Sequence, residues 1–310
     1  MEFYFLVVLS QCMLGLSLFS EKLFSKKSSG YLPTNLIYSA GIAVSSLFVY
    51  SLMAGFNLTP DFEIISHAVI YGILYSSSMT CLFIAYKRLN MVVYSVFGKS
   101  ASIAVCIIGM VFWGDTVKFT TIAGIVLLFV SILLPLLVAG KTEGKKGSFA
   151  NLLICIATMV IGTGVSLVIK SFSSLESYTP ARASAMYFYA NIFTFIFLVG
   201  AVLVYTKQPD VDGSKTLLRR HADGFADSFL RVNPKLYILV PIVATVANIP
   251  TVINTLCVNN MDLSVYTVLS RAIELLVLFV ISRFIFKEKY SRVDITSLII
   301  SGVAGLIICF

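Results

Sequence analysis

Three ionisable residues, Lys99, Arg271 and Glu274, stand inside long apolar runs of the sequence. A charge near the centre of a bilayer costs about 3 kcal/mol on insertion scales, so each side chain there needs a partner or a water-filled cavity. Two cations at such depth have the chemistry to hold a carboxylate or phosphate group. Glu274 is predicted to be the one acid well inside an apolar run, and it suits the role of counter-ion or proton carrier.

Polar residues surround these charges at helical spacing. One helix face is predicted to carry, at intervals of four, three and four residues, Ser95, Lys99, Ser102 and Cys106. A second face carries, at intervals of four and three, Thr267, Arg271 and Glu274. Single polar residues in apolar runs are further candidates for substrate contact, namely Tyr94, Tyr266 and Asn191. Residues of these types also hold membrane helices together, which is the structural alternative for each of them.

The charged residues have a structural alternative of their own. Arg271 and Glu274 can neutralise each other at i, i+3 spacing, and Lys99 can reach Glu274 across a helix interface. Such a network fixes packing without touching a substrate. The two interpretations are compatible if a pair between Lys99 and Glu274 closes a gate that an incoming anion opens.

The composition places these residues in a membrane protein. Of 310 residues, 58% are hydrophobic and 12% are charged, whereas soluble domains are about half apolar and about a quarter charged. A helix needs about 20 apolar residues to cross the hydrocarbon layer, and segments this long satisfy their backbone groups only as helices. We therefore predict an all-α polytopic membrane protein with ten transmembrane helices. They fall at approximately 3–20, 31–53, 64–86, 91–112, 119–138, 149–170, 183–205, 236–258, 261–283 and 293–310.

The basic residues predict the orientation of these helices. Most of the 23 Lys and Arg residues fall in the odd-numbered loops, whereas the even-numbered loops hold only Lys118 and Arg182. Cytoplasmic loops are enriched in such residues, so both termini are expected outside. The net charge of +8 is then spread over several loops by topology. This distribution argues against nucleic acid as a partner.

The two halves of the chain resemble each other. The segment VYSVFGK at 93–99 matches VYTVLSR at 265–271, and GLSL at 15–18 matches GVSL at 164–167. With an odd number of helices in each half, the second copy enters the membrane from the opposite face. The prediction is a first five-helix repeat at 1–140, a cytoplasmic linker at 141–148 and a second, inverted repeat at 149–310. Inverted-repeat transporters place their substrate at the midplane between the copies.

These features resemble the drug/metabolite transporter superfamily, in particular its EamA-like ten-helix members. The resemblance rests on the five-plus-five arrangement, on a Gly-rich first span that ends in a Lys (Gly15 to Lys22), and on the Gly114-Asp115 turn after span four, echoed by Lys287-Glu288 after span nine. It implies a secondary transporter that works by alternating access. The basic residues in spans four and nine favour a substrate that carries a carboxylate or a phosphate.

Two other functions are weighed against a metabolite transporter. A lipid-headgroup flippase of the same superfamily would use the basic residues on a phosphate headgroup. A membrane-embedded enzyme would need a catalytic motif, and His-Glu-x-x-His and Gly-x-Ser-x-Gly do not occur in the sequence.

The remaining expectations concern partners and location. We expect no enzyme activity, no cofactor and no metal site, since the six cysteines lack ligand spacing. The predicted partners are a small-molecule substrate, a proton or counter-metabolite, and membrane lipid. A monomer is expected because both repeats lie in one chain. The predicted location is a bacterial inner membrane.

Overall fold

The computed structural model describes residues 2–28, 31–88, 101, 104–114, 118–139, 148–206, 217–231, 234–285 and 292–308. All regular secondary structure within these residues is helical, and none of them lies in a strand. The all-α prediction is therefore confirmed. An α-helix satisfies its backbone donors and acceptors within one segment, which long apolar runs require when no water is present.

The helices are described here in chain order. They are α1 (Glu2–Lys27), α2 (Leu32–Met53), α3 (Phe62–Arg88), α4 (described over 104–112), α5 (Phe119–Ala139), α6 (Ser148–Ser173), α7 (Pro180–Tyr205), α8 (Leu217–Leu230), α9 (Leu239–Asn260), α10 (Leu263–Val280) and α11 (Arg292–Ile308). A 3-10 turn at Pro234–Ile238 precedes α9, and a π-helical turn at Ile281–Ile285 follows α10.

Six helices of the described residues are long and apolar enough to cross a membrane. They span Phe3–Lys27, Leu32–Met53, Phe62–Ile84, Ile156–Ser173, Pro180–Tyr205 and Lys235–Asn260. These lengths and compositions are those of an integral membrane protein. The count of ten spans and their arrangement as two inverted repeats remain predictions.

The first helix is longer than predicted. We placed the end of span one at residue 20, whereas α1 continues to Lys27. The charged residues beyond position 20 lowered the hydropathy of the sequence there, although lysine side chains can extend along a helix to reach the membrane surface. Consequently Glu21 lies inside the helix.

The described chain forms two compact units that alternate along the sequence. Unit 1 comprises Met1–Leu16, Ala85–Tyr178 and Ile249–Phe310, and unit 2 comprises Ser17–Ile84 and Thr179–Asn248. Helices α1 and α9 each contribute to both units. The repeat boundaries predicted at residues 140 and 149 rest on internal sequence likeness and remain a prediction.

Unit 2 combines close backbone contact with buried polar pairs. A Cβ atom added at Gly72 of α3 would lie 2.7 Å from the Cβ of Phe193 and 3.0 Å from the carbonyl oxygen of Ala190, both in α7. The Asn248 amide of α9 donates a hydrogen bond of 2.7 Å to the Ser46 hydroxyl of α2. Small residues that let backbones approach, together with interhelical hydrogen bonds, are the usual means of helix association in lipid.

An ion-pair cluster joins the starts of α3 and α7 in unit 2. The Arg182 guanidinium lies 2.7 Å from the Asp61 carboxylate and 3.0 Å from the Glu63 carboxylate. Nearby, the Tyr189 hydroxyl donates to the Leu58 carbonyl at 2.6 Å. These contacts fix the connection between α2 and α3 to the first turns of α7.

The short helix α8 packs against α2 and against the end of α7 through its small residues, with Gly224 beside Thr206. Gly224 and Ser228 are buried, and the Thr34 hydroxyl donates to the Ser228 carbonyl at 2.7 Å. After the helix, the Arg231 guanidinium lies 4.1 Å from the centre of the Tyr31 ring. A cation over an aromatic face is attracted by the ring quadrupole, which helps to hold the end of α8 beside α2.

The contact at Gly72 predicts an asymmetry between two glycines. Gly72→Ala forces α3 away from α7 and should lower the free energy of unfolding by about 1–3 kcal/mol. Gly200→Ala in α7, where no atom lies within 4 Å of the added Cβ, should cause no loss because alanine favours the helix. Thermal unfolding of the purified protein measures both. Equal melting temperatures for the two variants would contradict the close approach of α3 and α7.

Candidate functional site

The charged face predicted in span nine lies on α10 of unit 1. The helix begins at Leu263, and the carbonyl of Asp262 accepts the first backbone hydrogen bond, from the Tyr266 amide at 3.0 Å. Buried Leu263 and Leu269 belong to two apolar clusters, so the helix is packed on more than one face. This packing sets the rotation of α10 and thereby the direction in which its charged side chains point.

Arg271 and Glu274 form an ion pair along α10. A guanidinium nitrogen of Arg271 donates to a Glu274 carboxylate oxygen at 2.6 Å. The Arg271 side chain is 30% exposed and the Glu274 side chain 12%. Tyr266 interacts electrostatically with the guanidinium. The Arg271 Nε atom is buried and has no hydrogen-bond partner among the described residues. The charges of Arg271 and Glu274 therefore neutralise each other. The N–H group at Arg271 Nε remains as a hydrogen-bond donor for a further group.

Helices α1 and α9 support α10 from within the same unit. The Ser10 hydroxyl of α1 donates to the Asn254 side-chain oxygen of α9 at 2.6 Å, and the Gln11 amide donates to the same oxygen at 3.5 Å. Gly15 of α1 lies so close to the Val277 side chain of α10 that a Cβ atom would collide with it. The three helices are thus joined by a polar contact and by backbone packing.

Helix α6 contributes a buried cation to the same unit. The Lys170 ammonium donates to the Val258 carbonyl at 3.1 Å. This carbonyl belongs to the last turn of α9, where backbone acceptors have no partner within the helix. Lys170 therefore has a structural role at this helix end.

The described structure brings some of the predicted site residues together. Tyr266, Arg271 and Glu274 form one cluster on α10. Asn191 belongs to unit 2, where its amide donates to the Tyr187 carbonyl of its own helix at 2.8 Å. Four predicted residues lie outside the described residues, namely Tyr94, Ser95, Lys99 and Ser102. The ion pair has the i, i+3 geometry of the structural alternative, and contact with a substrate remains a prediction.

A second buried acid was missed by the sequence interpretation. Glu21 of α1 is 6% exposed and lies within a helix that can span the membrane. The prediction that Glu274 is the one acid well inside an apolar run is therefore wrong. The spacing of Ser17 and Glu21 at i, i+4 gave a signal, but the adjacent Lys22 made the segment resemble the start of a loop.

Comparison with known proteins gives the fold without an activity. No protein-family model matches the chain, and no curated protein sequence matches it significantly. Among solved structures, 28 chains match. One of them, described only as "Crystal structure of protein", is 16% identical, with a TM-score of 0.62 over 98% of this chain and 98% of that chain. The likeness at this identity shows that the two proteins share a fold over nearly their whole lengths.

The ion pair on α10 predicts the effect of neutralising one partner. Glu274→Gln keeps a hydrogen-bond acceptor beside Arg271 but removes the counter-charge. The free energy of unfolding should fall by about 2 kcal/mol, since removing one partner of a buried ion pair costs about 3–5 kcal/mol and the partial exposure of Arg271 lowers that cost. The matched control is Glu176→Gln, which changes an exposed acid in the turn after α6 and should leave the melting temperature unchanged. Equal stability of the two variants would show that Glu274 does not compensate Arg271.

Proposed function

We propose that this chain is a secondary transporter that moves a small polar metabolite bearing a carboxylate or phosphate across the membrane by alternating access. The observation that carries the proposal is the Arg271–Glu274 pair on α10, inside an all-helical membrane protein. A pair of charges in such a helix has a desolvation cost that apolar side chains of similar size do not have. Ionisable residues at membrane depth commonly mark substrate or ion pathways.

The chemistry of the pair suits the binding of an anion. Arg271 presents a planar group that can bind a carboxylate or phosphate through two parallel hydrogen bonds. In the structure one nitrogen of this group contacts Glu274, while the Nε atom has no partner among the described residues. An anionic substrate can use that second donor without first breaking the pair. Tyr266 interacts electrostatically with the same guanidinium.

The internal repeat adds Lys99 to the proposed site. Lys99 occupies in the segment 93–99 the position that Arg271 occupies in 265–271. Two cations and Glu274 together carry one net positive charge, which a monoanionic group neutralises. We propose that Lys99 and Arg271 hold this group, with Glu274 as the counter-ion of the empty site. Ser95, Ser102 and Tyr94 would add hydrogen bonds from the same predicted span as Lys99.

The proposed architecture is that of EamA-like members of the drug/metabolite transporter superfamily. It has ten transmembrane helices in two inverted five-helix repeats, both termini outside, and a monomer in a bacterial inner membrane. The helices at the positions of the predicted spans support this proposal, as does the distribution of basic residues over the loops. Alternating access then follows from movement of one repeat against the other around a midplane site.

Ligand-dependent thermal unfolding tests the transporter proposal. The detergent-purified protein is heated with amino acids, organic acids, sugar phosphates, nucleotide sugars or lipophilic cations. An anionic class at 100 times its dissociation constant should stabilise the wild type by about 2.7 kcal/mol. Lys99→Ala and Arg271→Ala should abolish this stabilisation.

Arg292→Ala is the matched control, because Arg292 is exposed at the start of α11 and should leave the ligand response intact. Stabilisation by neutral or cationic compounds alone would contradict the proposal. So would Lys99→Ala and Arg271→Ala variants that lose stability but keep the full response to the anion.

A further inference from the structure

Packing between helices does not account for the burial of the Glu21 carboxyl group. Glu21 lies in α1 within unit 2 and is 6% exposed. The Ser17 hydroxyl, one turn earlier in the same helix, makes a hydrogen bond with the carboxyl group. The other carboxyl oxygen, Oε2, is fully buried and has no hydrogen-bond partner among the described residues. One acceptor of this group is therefore left open inside a membrane-spanning helix.

The groups that face Glu21 from the neighbouring helices are phenols. Tyr38 of α2 is fully buried, and its hydroxyl lies 3.0 Å from the Ser20 hydroxyl of α1. Tyr75 of α3 interacts electrostatically with Glu21, as does Tyr38. Tyr71 stacks on Tyr75 with ring centres 5.6 Å apart. Within the part of the chain that the structure describes, no basic side chain forms an ion pair with Glu21.

An ionised carboxylate in this environment has no compensation for its lost hydration. Burying an isolated charge in an apolar medium is far more costly than burying a neutral polar group. Neutralising the Glu21 carboxylate requires a bound cation. The smallest is the proton, which converts the open acceptor Oε2 into a hydroxyl that can donate to a neighbouring phenol oxygen. Among the described residues, no group of three His, Cys, Asp or Glu side chains comes together that could hold a metal ion.

We propose that Glu21 is a proton-binding site that the transport cycle loads and unloads. In the packed arrangement of α1, α2 and α3 the carboxyl group holds a proton on Oε2. When water reaches the group, the carboxylic acid transfers its proton to a water molecule and becomes a carboxylate. No electron is transferred, and the total charge is unchanged. The coupling of this step to substrate movement rests on the transport function proposed above.

The surroundings of Glu21 supply a means of coupling. Tyr38 belongs to the apolar cluster that joins α1, α2 and α9 through Phe24 and Val240, and its ring stacks on Phe24 with centres 4.0 Å apart. A new negative charge at Glu21 must draw water or donors toward it, which disturbs this cluster. Protonation therefore favours the packed arrangement and release of the proton favours an opened one.

Infrared spectroscopy of the purified protein in lipid tests the proton site without any substrate. The wild type at neutral pH should show a carbonyl stretching band of a protonated carboxylic acid. Glu21→Gln should lose this band, because the amide has the same shape and no carboxyl group. Glu176→Gln, the exposed control, should keep it. Identical carboxylic-acid bands in the wild type and Glu21→Gln would overturn the proposal.

A second variant keeps the test decisive if Glu21→Gln folds poorly. Ser17→Ala removes the hydroxyl that bonds to the carboxyl group and leaves the acid in place. The band should then move to higher frequency, since its hydrogen-bonded carbonyl has lost a donor. A band that stays at the wild-type frequency in Ser17→Ala would show that the protonated acid is a different residue.

Proteoliposomes with an imposed pH gradient test the coupling separately. An anion that stabilises the wild type should accumulate against its gradient in wild-type vesicles and only equilibrate in Glu21→Gln vesicles. Equal accumulation in both would overturn the coupling role of Glu21. If no compound of the panel is bound or moved, the transporter proposal fails, while the infrared band still reports on the proton site.

Discussion

Polar groups on apolar helices inside a membrane have no water to bind, and the rest of the structure depends on this constraint. Every buried donor and acceptor has to find its partner within the protein. The described residues largely meet this demand, many through a carbonyl one turn earlier in the same helix and others through contacts between helices. Asn248 bonds to Ser46, Asn254 receives Ser10, and Lys170 binds the carbonyl of Val258. These pairs fix the rotation of each helix about its own axis. Apolar contacts with lipid or protein alone would define that rotation less well.

The exceptions to this rule include two ionisable side chains, together with the hydroxyls of Ser39 and Tyr178 and the Nε atom of Arg182. The Arg271 Nε atom and the Glu21 Oε2 atom are both buried without a hydrogen-bond partner among the described residues. A protein selected for stability alone would gain from apolar residues at these positions, because unpaired buried polar atoms lower stability. Natural proteins accept such local costs mainly at functional sites. The proposed anion site and proton site are both inferred from atoms of this kind.

The sequence was sufficient for the all-α class and for the pairing along α10. Apolar runs of transmembrane length predict helices without reference to tertiary contacts, and an i, i+3 pair such as Arg271 and Glu274 needs only helical geometry. Glu21 was missed because a hydropathy pattern averages over neighbours, and Lys22 ended the predicted span. The Glu21 environment depends on Tyr38 and Tyr75, whose approach to α1 is a tertiary contact that spacing along the chain does not reveal.

The central claim is that the partly buried Arg271–Glu274 pair of α10 is there to serve the proposed ligand and is not needed for packing. The most direct measurement is the thermal unfolding of the double variant Arg271→Met/Glu274→Met, in which both charges are replaced by apolar side chains of similar length. The account predicts a melting temperature equal to or above that of the wild type, since replacing a buried ion pair by apolar residues is often neutral or stabilising. A melting temperature clearly below that of the wild type would contradict it, because the pair would then be a structural requirement of the helix bundle.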